Sequence, residues 1–151
     1  MDAKLLPRPG KGRRVTAVSA TGSFLRILIV EDFKQFQLYL CSTLEGRRDL
    51  LVIATVSDGL EAVQKAIELK PDLILLDIGL PTMNGIEVAR QVRKLVPESK
   101  IVFVSQESSA EVVREALSTG AWGYVVKARA ASQLLEVVDS VRSGKRFVSS
   151  L

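Results

Sequence analysis

Short apolar runs alternate with longer amphipathic stretches along most of this chain. Five runs are rich in Val, Ile and Leu, a composition typical of strands that are buried on both faces. These runs cover residues 27–30, 51–56, 73–76, 101–104 and 124–126. Each is followed by a segment whose apolar residues recur every three to four positions, as in a helix with one buried face. These segments cover residues 33–44, 59–69, 85–96, 109–119 and 130–142.

Five strands that alternate with five helices predict an α/β fold. Crossovers between parallel strands are right-handed, so we expect a (βα)5 fold with a doubly wound, five-stranded parallel sheet. Local signals mark helix ends: Asn84 is a candidate cap, and Gly120 and Gly144 follow the fourth and fifth helical segments. The pattern predicts one folded domain over residues 25–144, with residues 145–151 as the start of a linker or a C-terminal tail.

A chain of 151 residues has the length of one ordinary domain with an apolar core. Hydrophobic residues make up 47% of the chain and charged residues 25%, which is typical of globular proteins. No stretch approaches the roughly 18 apolar residues of a membrane-spanning helix, so we expect no membrane association and a cytoplasmic location. The lone Cys41 excludes an intramolecular disulfide, and the lack of histidine removes the commonest general base and metal ligand.

The excess of basic charge is confined to the amino-terminal segment. The formal net charge is +4, and residues 1–24 carry five basic side chains against Asp2 alone, while the remainder is balanced. This segment contains Pro and Gly without a repeating apolar pattern, so we predict a disordered tail. It lacks the apolar stretch of a signal peptide and the preceding strand of a nucleotide-binding glycine loop. The balanced domain offers no electrostatic footprint for nucleic acid.

Polar side chains follow four of the five predicted strands. Glu31 and Asp32 follow the first strand, Asp77 the third, Ser105 the fourth and Lys127 the fifth. Taken singly, each has an ordinary explanation, such as a helix cap or a side chain exposed to water. In a parallel sheet, however, all carboxyl ends share one edge, where open α/β folds bind ligands. We therefore expect these five side chains to form one site.

Asp77 is the most informative of these residues because it directly follows the apolar run at residues 73–76. A carboxylate at the end of a buried strand costs free energy unless a partner compensates its charge. Three carboxylates at one edge repel each other and are best tolerated when they share a cation. Since the candidate ligands are oxygens, with no His or Cys, the set favours a hard divalent ion such as Mg²⁺.

Four stretches around these residues resemble the receiver domain of two-component response regulators. They read RILIVED, DIGLPTMNG, VFVS and GAWGYVVK, at residues 26–32, 77–85, 102–105 and 120–127. The resemblance covers residues 26–143 and implies a flavodoxin-like receiver fold. Residues 144–149 look like the junction that leads, in one subfamily, to a helix-turn-helix output domain. We expect no DNA-binding domain within this chain.

The resemblance implies a role for each residue of the site. Asp77 is the phosphoacceptor, which takes a phosphoryl group from a phosphohistidine on a sensor histidine kinase or phosphotransfer protein. Mg²⁺ would be bound by Asp32, Asp77 and the backbone carbonyl of Gly79, with Glu31 acting mostly through water on the metal. The ion would neutralise charge as the phosphoryl group moves. Lys127 would pair with a phosphoryl oxygen as a point charge.

The resemblance also implies two switch residues. Ser105 would donate its hydroxyl to the phosphoryl group, and Tyr124 would turn inward when the serine loop moves. Phosphorylation adds about −1.5 to −2 charge. It would bias the face from the fourth helix to the fifth helix, where we expect a protein target or a second copy to bind. Trp122 is a candidate interface residue on this face, although a partly buried anchor is an equally good interpretation.

The chain departs from the common family pattern at several positions. Gln106 stands where a small residue is frequent and could narrow access to the phosphate, and Ala128 stands where proline is frequent. Gly79 and Glu107 occupy positions that influence the dephosphorylation rate in the family. None of these departures removes a required chemical group. Residues 81–85 are expected to form a turn that shapes the site.

Three alternatives to a phosphoacceptor module stay open at this point. An interaction-only receiver, which no longer takes phosphate, is disfavoured by the intact set of polar residues at the strand ends. A DNA-binding transcriptional regulator is plausible only if this chain is a fragment of it, since the given sequence has no recognition helix. A haloacid-dehalogenase-like hydrolase would need a second acid two residues after Asp77, where Gly79 stands. We predict a domain that catalyses only its own phosphorylation and dephosphorylation.

Overall fold

The computed structural model describes residues 24–150, so the predicted tail lies, apart from Phe24, outside the described residues. The elements are β1 (Leu25–Val30), α1 (Lys34–Glu45), β2 (Leu50–Val56), α2 (Gly59–Leu69), β3 (Leu73–Leu76), α3 (Gly85–Leu95), β4 (Lys100–Ser105), α4 (Ala110–Leu117), β5 (Gly123–Val126), α5 (Ala130–Arg142) and β6 (Phe147–Val148). A short 3₁₀ turn, Lys127–Arg129, connects β5 to α5. The bounds of the ten predicted elements agree to within two residues. No helix within residues 24–150 is long and apolar enough to cross a membrane.

The strands form one parallel sheet in the order β2-β1-β3-β4-β5-β6. Helices α2, α3 and α4 pack on one face and α1 and α5 on the other. Successive residues of a strand enter opposite cores: Leu28 and Val30 belong to the first, and Ile27 and Ile29 to the second. Burial on both faces explains why the strands read as continuous apolar runs. The predicted doubly wound α/β fold is confirmed.

The sheet has six strands, which corrects the predicted count of five. Strand β6 contains only Phe147 and Val148, which pair in parallel with Gly123 and Tyr124 of β5. The backbone N–H of Ser149 extends the contact by donating to the carbonyl of Tyr124 at 2.9 Å. Two residues are too few to produce a periodic pattern in the sequence. They form a strand because the outer edge of β5 offers backbone groups that need partners.

The helix ends follow the local signals in the sequence. The side-chain oxygen of Asn84 caps α3 by accepting hydrogen bonds from the backbone N–H groups of Ile86 and Glu87, at 2.9 and 3.1 Å. This satisfies backbone donors that have no partner inside the helix. Gly120 and Gly144, which follow α4 and α5, have φ angles of +92° and +83°. Glycine is favoured in this left-handed conformation, so both turns end their helices as predicted.

Candidate functional site

The predicted site residues meet at the carboxyl edge of the sheet. Glu31 and Asp32 follow β1, Asp77 follows β3, Ser105 ends β4, and Lys127 opens the 3₁₀ turn after β5. Strands β1, β3, β4 and β5 are successive neighbours in the sheet. This order brings together residues that are up to 96 positions apart in the chain.

Three carboxylates form the centre of the site. Glu31, Asp32 and Asp77 each offer an oxygen, and these oxygens lie within 4.8 Å of one another. Glu31 and Asp77 are buried, with 1% and 7% of their surface exposed, whereas Asp32 is exposed to solvent. The backbone N–H of Phe33 donates to Glu31 Oε2 at 3.0 Å. Negative charge at this density requires a cation nearby.

Lys127 places one positive charge inside this cluster. Its ammonium donates hydrogen bonds to Glu31 Oε2 and to Asp77 Oδ2, both at 3.1 Å. Nζ also lies 2.9 Å from Glu31 Oε1, so this buried oxygen is compensated by an ion pair with the same ammonium. One ammonium against three carboxylates still leaves an excess of negative charge, and these oxygen donors fit a hard divalent cation.

Burial, hydrogen bonds and neighbouring charges shift the pKa values of Glu31 and Lys127. The pKa of Glu31 is raised, mainly because burial removes solvation from its charged form, while hydrogen bonds from Lys127 and Phe33 oppose this shift. Burial acts to lower the pKa of Lys127. The hydrogen bond to Glu31 and the negative charges of Asp77 and Glu31 outweigh burial, so the pKa of Lys127 is raised. Lys127 is therefore a cation at neutral pH.

The loop after Asp77 closes tightly against the start of α3. The N–H of Asp77 donates to the carbonyl of Val30 at 3.0 Å, and the N–H of Gly85 donates to the carbonyl of Ile78 at 2.8 Å. A Cβ on Gly85 would lie 2.0 Å from the backbone oxygen of Asp77. The N–H of Ile78 donates to Asp77 Oδ1 at 2.7 Å. Oδ1 is thus bound to the backbone, while Oδ2 faces Lys127.

The middle of this loop is bound to the start of α2. Thr82 has a φ angle of +63°, which is rare for a β-branched residue. Its hydroxyl donates to Asp58 Oδ1 at 3.0 Å and accepts from the N–H of Leu60 at 3.1 Å. A Cβ on Gly59 would lie 1.9 Å from the carbonyl oxygen of Met83. The sequence indicated the turn at Thr82, but Asp58 and Gly59 were missed because they read as an ordinary helix start.

Ser105 and Tyr124 are connected through the loop after β4. Both side chains are buried. The N–H of Glu107 donates to Ser105 Oγ at 3.2 Å, and the hydroxyl of Tyr124 donates to the carbonyl of Glu107 at 2.8 Å. Burial raises the pKa of Tyr124, so its phenol keeps its proton and stays a donor. The two predicted switch residues therefore contact the same loop residue.

Comparison with known proteins decides the family. The family model for the response regulator receiver domain matches residues 27–139, which is most of the chain. The chain belongs to the response regulator receiver domain family. The receiver domain is 36% identical over 120 residues to the transcriptional regulatory protein LnrK of Bacillus subtilis, covering 80% of this chain and 54% of that protein.

Other relatives and solved structures agree with this assignment. The chain is 38% identical over 109 residues to the protein-glutamate methylesterase/protein-glutamine glutaminase of Thermotoga maritima, covering 71% of this chain and 31% of that protein. The crystal structure of the response regulator domain of Thermotoga maritima CheB has a TM-score of 0.72 at 34% identity, covering 77% of this chain and 94% of that one. The crystal structure of a two-component response regulator of the LuxR family from Aurantimonas has a TM-score of 0.79 at 27% identity, covering 83% of this chain and 89% of that one. The chain spans about half or less of the length of the two curated relatives.

Trp122, the candidate interface residue, precedes β5 and so lies at the opposite edge of the sheet of the receiver domain from Lys127. Its side chain is half-buried and packs against the core between the sheet and helices α1 and α5. Lys100 Nζ and Arg146 Cζ each lie 4.3 Å from its ring centroid. These contacts stabilise the ring as an anchor. An interface role for Trp122 stays a prediction.

Two residues of α1 contact the site although the sequence did not single them out. The Gln37 side-chain amide donates to the carbonyl of Glu31 at 3.0 Å. The ring of Phe36 lies over Lys127, with 4.6 Å between its centroid and Nζ. In the sequence, Phe36 is visible only as part of the apolar face of a helix. Its contact with the site arises because α1 packs on β1 and β2, while the long side chain of Lys127 extends from the end of β5 towards Glu31.

Proposed function

We propose that this receiver domain accepts a phosphoryl group on Asp77 in a reaction that depends on Mg²⁺. One observation carries the proposal: the buried Asp77 carboxylate lies in a cluster with Glu31 and Asp32, whose oxygens are within 4.8 Å, and accepts a 3.1 Å hydrogen bond from Lys127. Phosphoryl transfer depends mainly on positioning and on neutralising charge. A carboxylate between potential metal ligands and an ammonium is suited to that chemistry.

The proposed donor is a phosphohistidine on a sensor histidine kinase or a phosphotransfer protein. A carboxylate oxygen of Asp77 attacks phosphorus, the P–O bond forms, and the P–N bond to imidazole breaks with its electron pair leaving on nitrogen. The products are an aspartyl phosphate and a free histidine. We assign the attack to Oδ2, because it faces Lys127, the proposed partner of a phosphoryl oxygen, whereas Oδ1 is bound to the backbone N–H of Ile78 at 2.7 Å.

The carboxylates of Asp32 and Asp77 and the backbone carbonyl of Gly79 would hold Mg²⁺, with Glu31 beside them. The all-oxygen donor set, in which three carboxylates face one ammonium, supports this assignment. When bound, the ion would neutralise negative charge on the phosphoryl group and on the carboxylates around it. Lys127 would hold one phosphoryl oxygen by charge.

The proposed response to phosphorylation begins in the loop after β4. The hydroxyl of Ser105 would donate to a phosphoryl oxygen. Because Ser105 Oγ also accepts the hydrogen bond from the N–H of Glu107, a movement of Ser105 towards the phosphoryl group would shift Glu107 or break that bond. Tyr124 holds the same residue through its carbonyl, so a shift of Glu107 would be transmitted to β5. A protein target or a second copy would bind at the face from α4 to α5. A transcriptional role, as in the name of the Bacillus subtilis relative, would require further residues beyond this domain.

The phosphorylation proposal is tested by incubating the wild-type chain with acetyl phosphate and measuring its intact mass. With Mg²⁺ present, we expect the mass to rise by one phosphoryl group. With EDTA in excess over Mg²⁺, we expect no gain, since the charge between the reacting oxygens is then not neutralised. A wild-type chain that gains no mass with Mg²⁺ would refute the proposal and favour an interaction-only receiver.

The metal assignment predicts that Asp32→Ala weakens Mg²⁺ binding by at least about tenfold, because even residues that only support metal ligands contribute tenfold or more. The fold should persist, since Asp32 is exposed to solvent. Isothermal titration with Mg²⁺ measures the affinity, and thermal unfolding checks the fold. Glu98→Ala, which removes an exposed carboxylate before β4, is the matched control and should bind Mg²⁺ like the wild type. Equal affinities in the two variants would show that the ligand assignment is wrong.

A further inference from the structure

The geometry points to Phe36 as a positioning residue for Lys127. The face of the Phe36 ring holds the lysine ammonium at the phosphoryl site. This inference rests on the proposed function and assigns a role to a residue outside the set of charged and hydroxyl groups. Nζ of Lys127 lies 4.6 Å from the ring centroid of Phe36, within the range of a cation–π contact.

The ammonium of Lys127 has neighbours on three sides. Glu31 and Asp77 accept its hydrogen bonds, both at 3.1 Å, and the Phe36 ring covers it from α1. Only 18% of the lysine side chain is exposed. Cation–π attraction grows as water is excluded, so this contact falls in the stronger part of its range.

Phe36 is itself held in place from several directions. Its half-buried ring packs against the core formed by α1, α5 and the sheet. The ring of Tyr39 lies 5.5 Å away between centroids, at an interplanar angle of 33°. One turn further along the helix, Leu40 is fully buried, and the adjacent Gln37 donates to the carbonyl of Glu31 at 3.0 Å. These contacts leave the ring little freedom to move away from Lys127.

A ring face is well suited to this position because it attracts a cation without accepting a strong hydrogen bond. Lysine has a flexible four-carbon stem, so its ammonium needs to be held in place. A third carboxylate would do so only by competing for the N–H groups that Lys127 needs for a phosphoryl oxygen. The π face of Phe36 holds the charge and leaves those donors for oxygen acceptors.

The test replaces Phe36 site-specifically with 4-fluoro-, 3,5-difluoro- and 3,4,5-trifluorophenylalanine. Fluorine withdraws charge from the ring face while the ring keeps nearly its size, so a purely packing role would be retained across the series. We expect the rate of phosphorylation by acetyl phosphate with Mg²⁺ to fall stepwise with each added fluorine. Phe36→Leu should be about two- to fivefold slower than wild type, and Phe36→Tyr, which keeps the ring face, close to wild type.

A second readout needs neither metal nor phosphate. In the NMR spectrum, the Hε protons of Lys127 should be shifted upfield by the ring current of Phe36, and the shift should vanish in Phe36→Leu. A rate that is flat across the fluorinated series overturns the inference, whether or not the NMR shift is present. An unshifted Hε resonance in the wild type overturns it as well.

The outcomes also separate this inference from the proposed function. Phosphorylation of the wild type together with a flat fluorinated series refutes the role of Phe36 alone. A wild type that takes no phosphoryl group refutes the proposed function and this inference with it. Because the fluorinated variants preserve packing, the test stands even if Phe36→Leu folds poorly.

Discussion

Asp77→Asn is expected to take up no phosphoryl group from acetyl phosphate and Mg²⁺, under conditions in which the wild type gains one. An amide has the shape of the carboxylate but is not an effective nucleophile towards phosphorus. The variant keeps an oxygen that can accept the 2.7 Å hydrogen bond from the N–H of Ile78, so the loop geometry should be preserved. Intact-mass spectrometry measures the uptake directly.

The fold should survive this substitution. Asp77→Asn weakens the attraction to Lys127, but it also removes one of three carboxylates that repel each other. These two effects oppose each other, and we expect the free energy of unfolding to change by no more than about 1 kcal/mol. Urea unfolding monitored by circular dichroism measures this change.

Asp72→Asn is the matched control for the phosphoacceptor assignment. Asp72 directly precedes β3, whereas Asp77 directly follows it, so the same chemical change is made at opposite ends of one strand. The Asp72 side chain accepts a hydrogen bond from the backbone N–H of Arg26, which an asparagine oxygen can also accept. This variant should be phosphorylated like the wild type. If Asp77→Asn still gains a phosphoryl group, the acceptor is another carboxylate, with Glu31 and Asp32 the nearest candidates.

Gly85→Ala is expected to lower the free energy of unfolding by about 3 kcal/mol, the upper end of the usual cost of adding atoms to a well-packed site. The added Cβ would lie 2.0 Å from the backbone oxygen of Asp77 and 2.9 Å from the Cα of Ile78. Both contacts are with backbone atoms, so no flexible side chain can move aside to relieve them. The start of α3 and the loop after β3 must separate. That movement displaces Asp77, so the phosphorylation rate should fall together with the stability.

Gly79→Ala provides the control within the same loop. A Cβ on Gly79 would have no neighbour within 4 Å, and its φ angle is not among the positive ones. The free energy of unfolding should stay within about 0.5 kcal/mol of wild type. The backbone carbonyl proposed to bind Mg²⁺ is also retained. Urea unfolding and the rate of mass gain are measured for both variants. Equal stabilities would mean that the loop at Gly85 can shift at no cost, contrary to the packing described.

The order of strands and helices and the membership of the charged site were readable from the sequence. Continuous apolar runs predict strands buried on both faces, because side chains alternate between the two cores, as at Ile27 and Leu28. In a parallel sheet every strand ends at the same edge, so Asp77 and Lys127 could be assigned to one site from their positions after strands. Here local patterning and a general rule of topology were sufficient.

The remaining features depend on contacts between segments that are far apart in the chain. Strand β6 has too few residues to leave a pattern and forms only because β5 presents an open edge. At Gly59 and Gly85 a separate backbone segment approaches so closely that a Cβ atom would clash with it. The ring of Phe36 meets Lys127 only when α1 packs on β1 and β2 and the lysine side chain extends from the end of β5. A periodic pattern records which face of an element is buried, and it carries no information about which distant residue that face will contact.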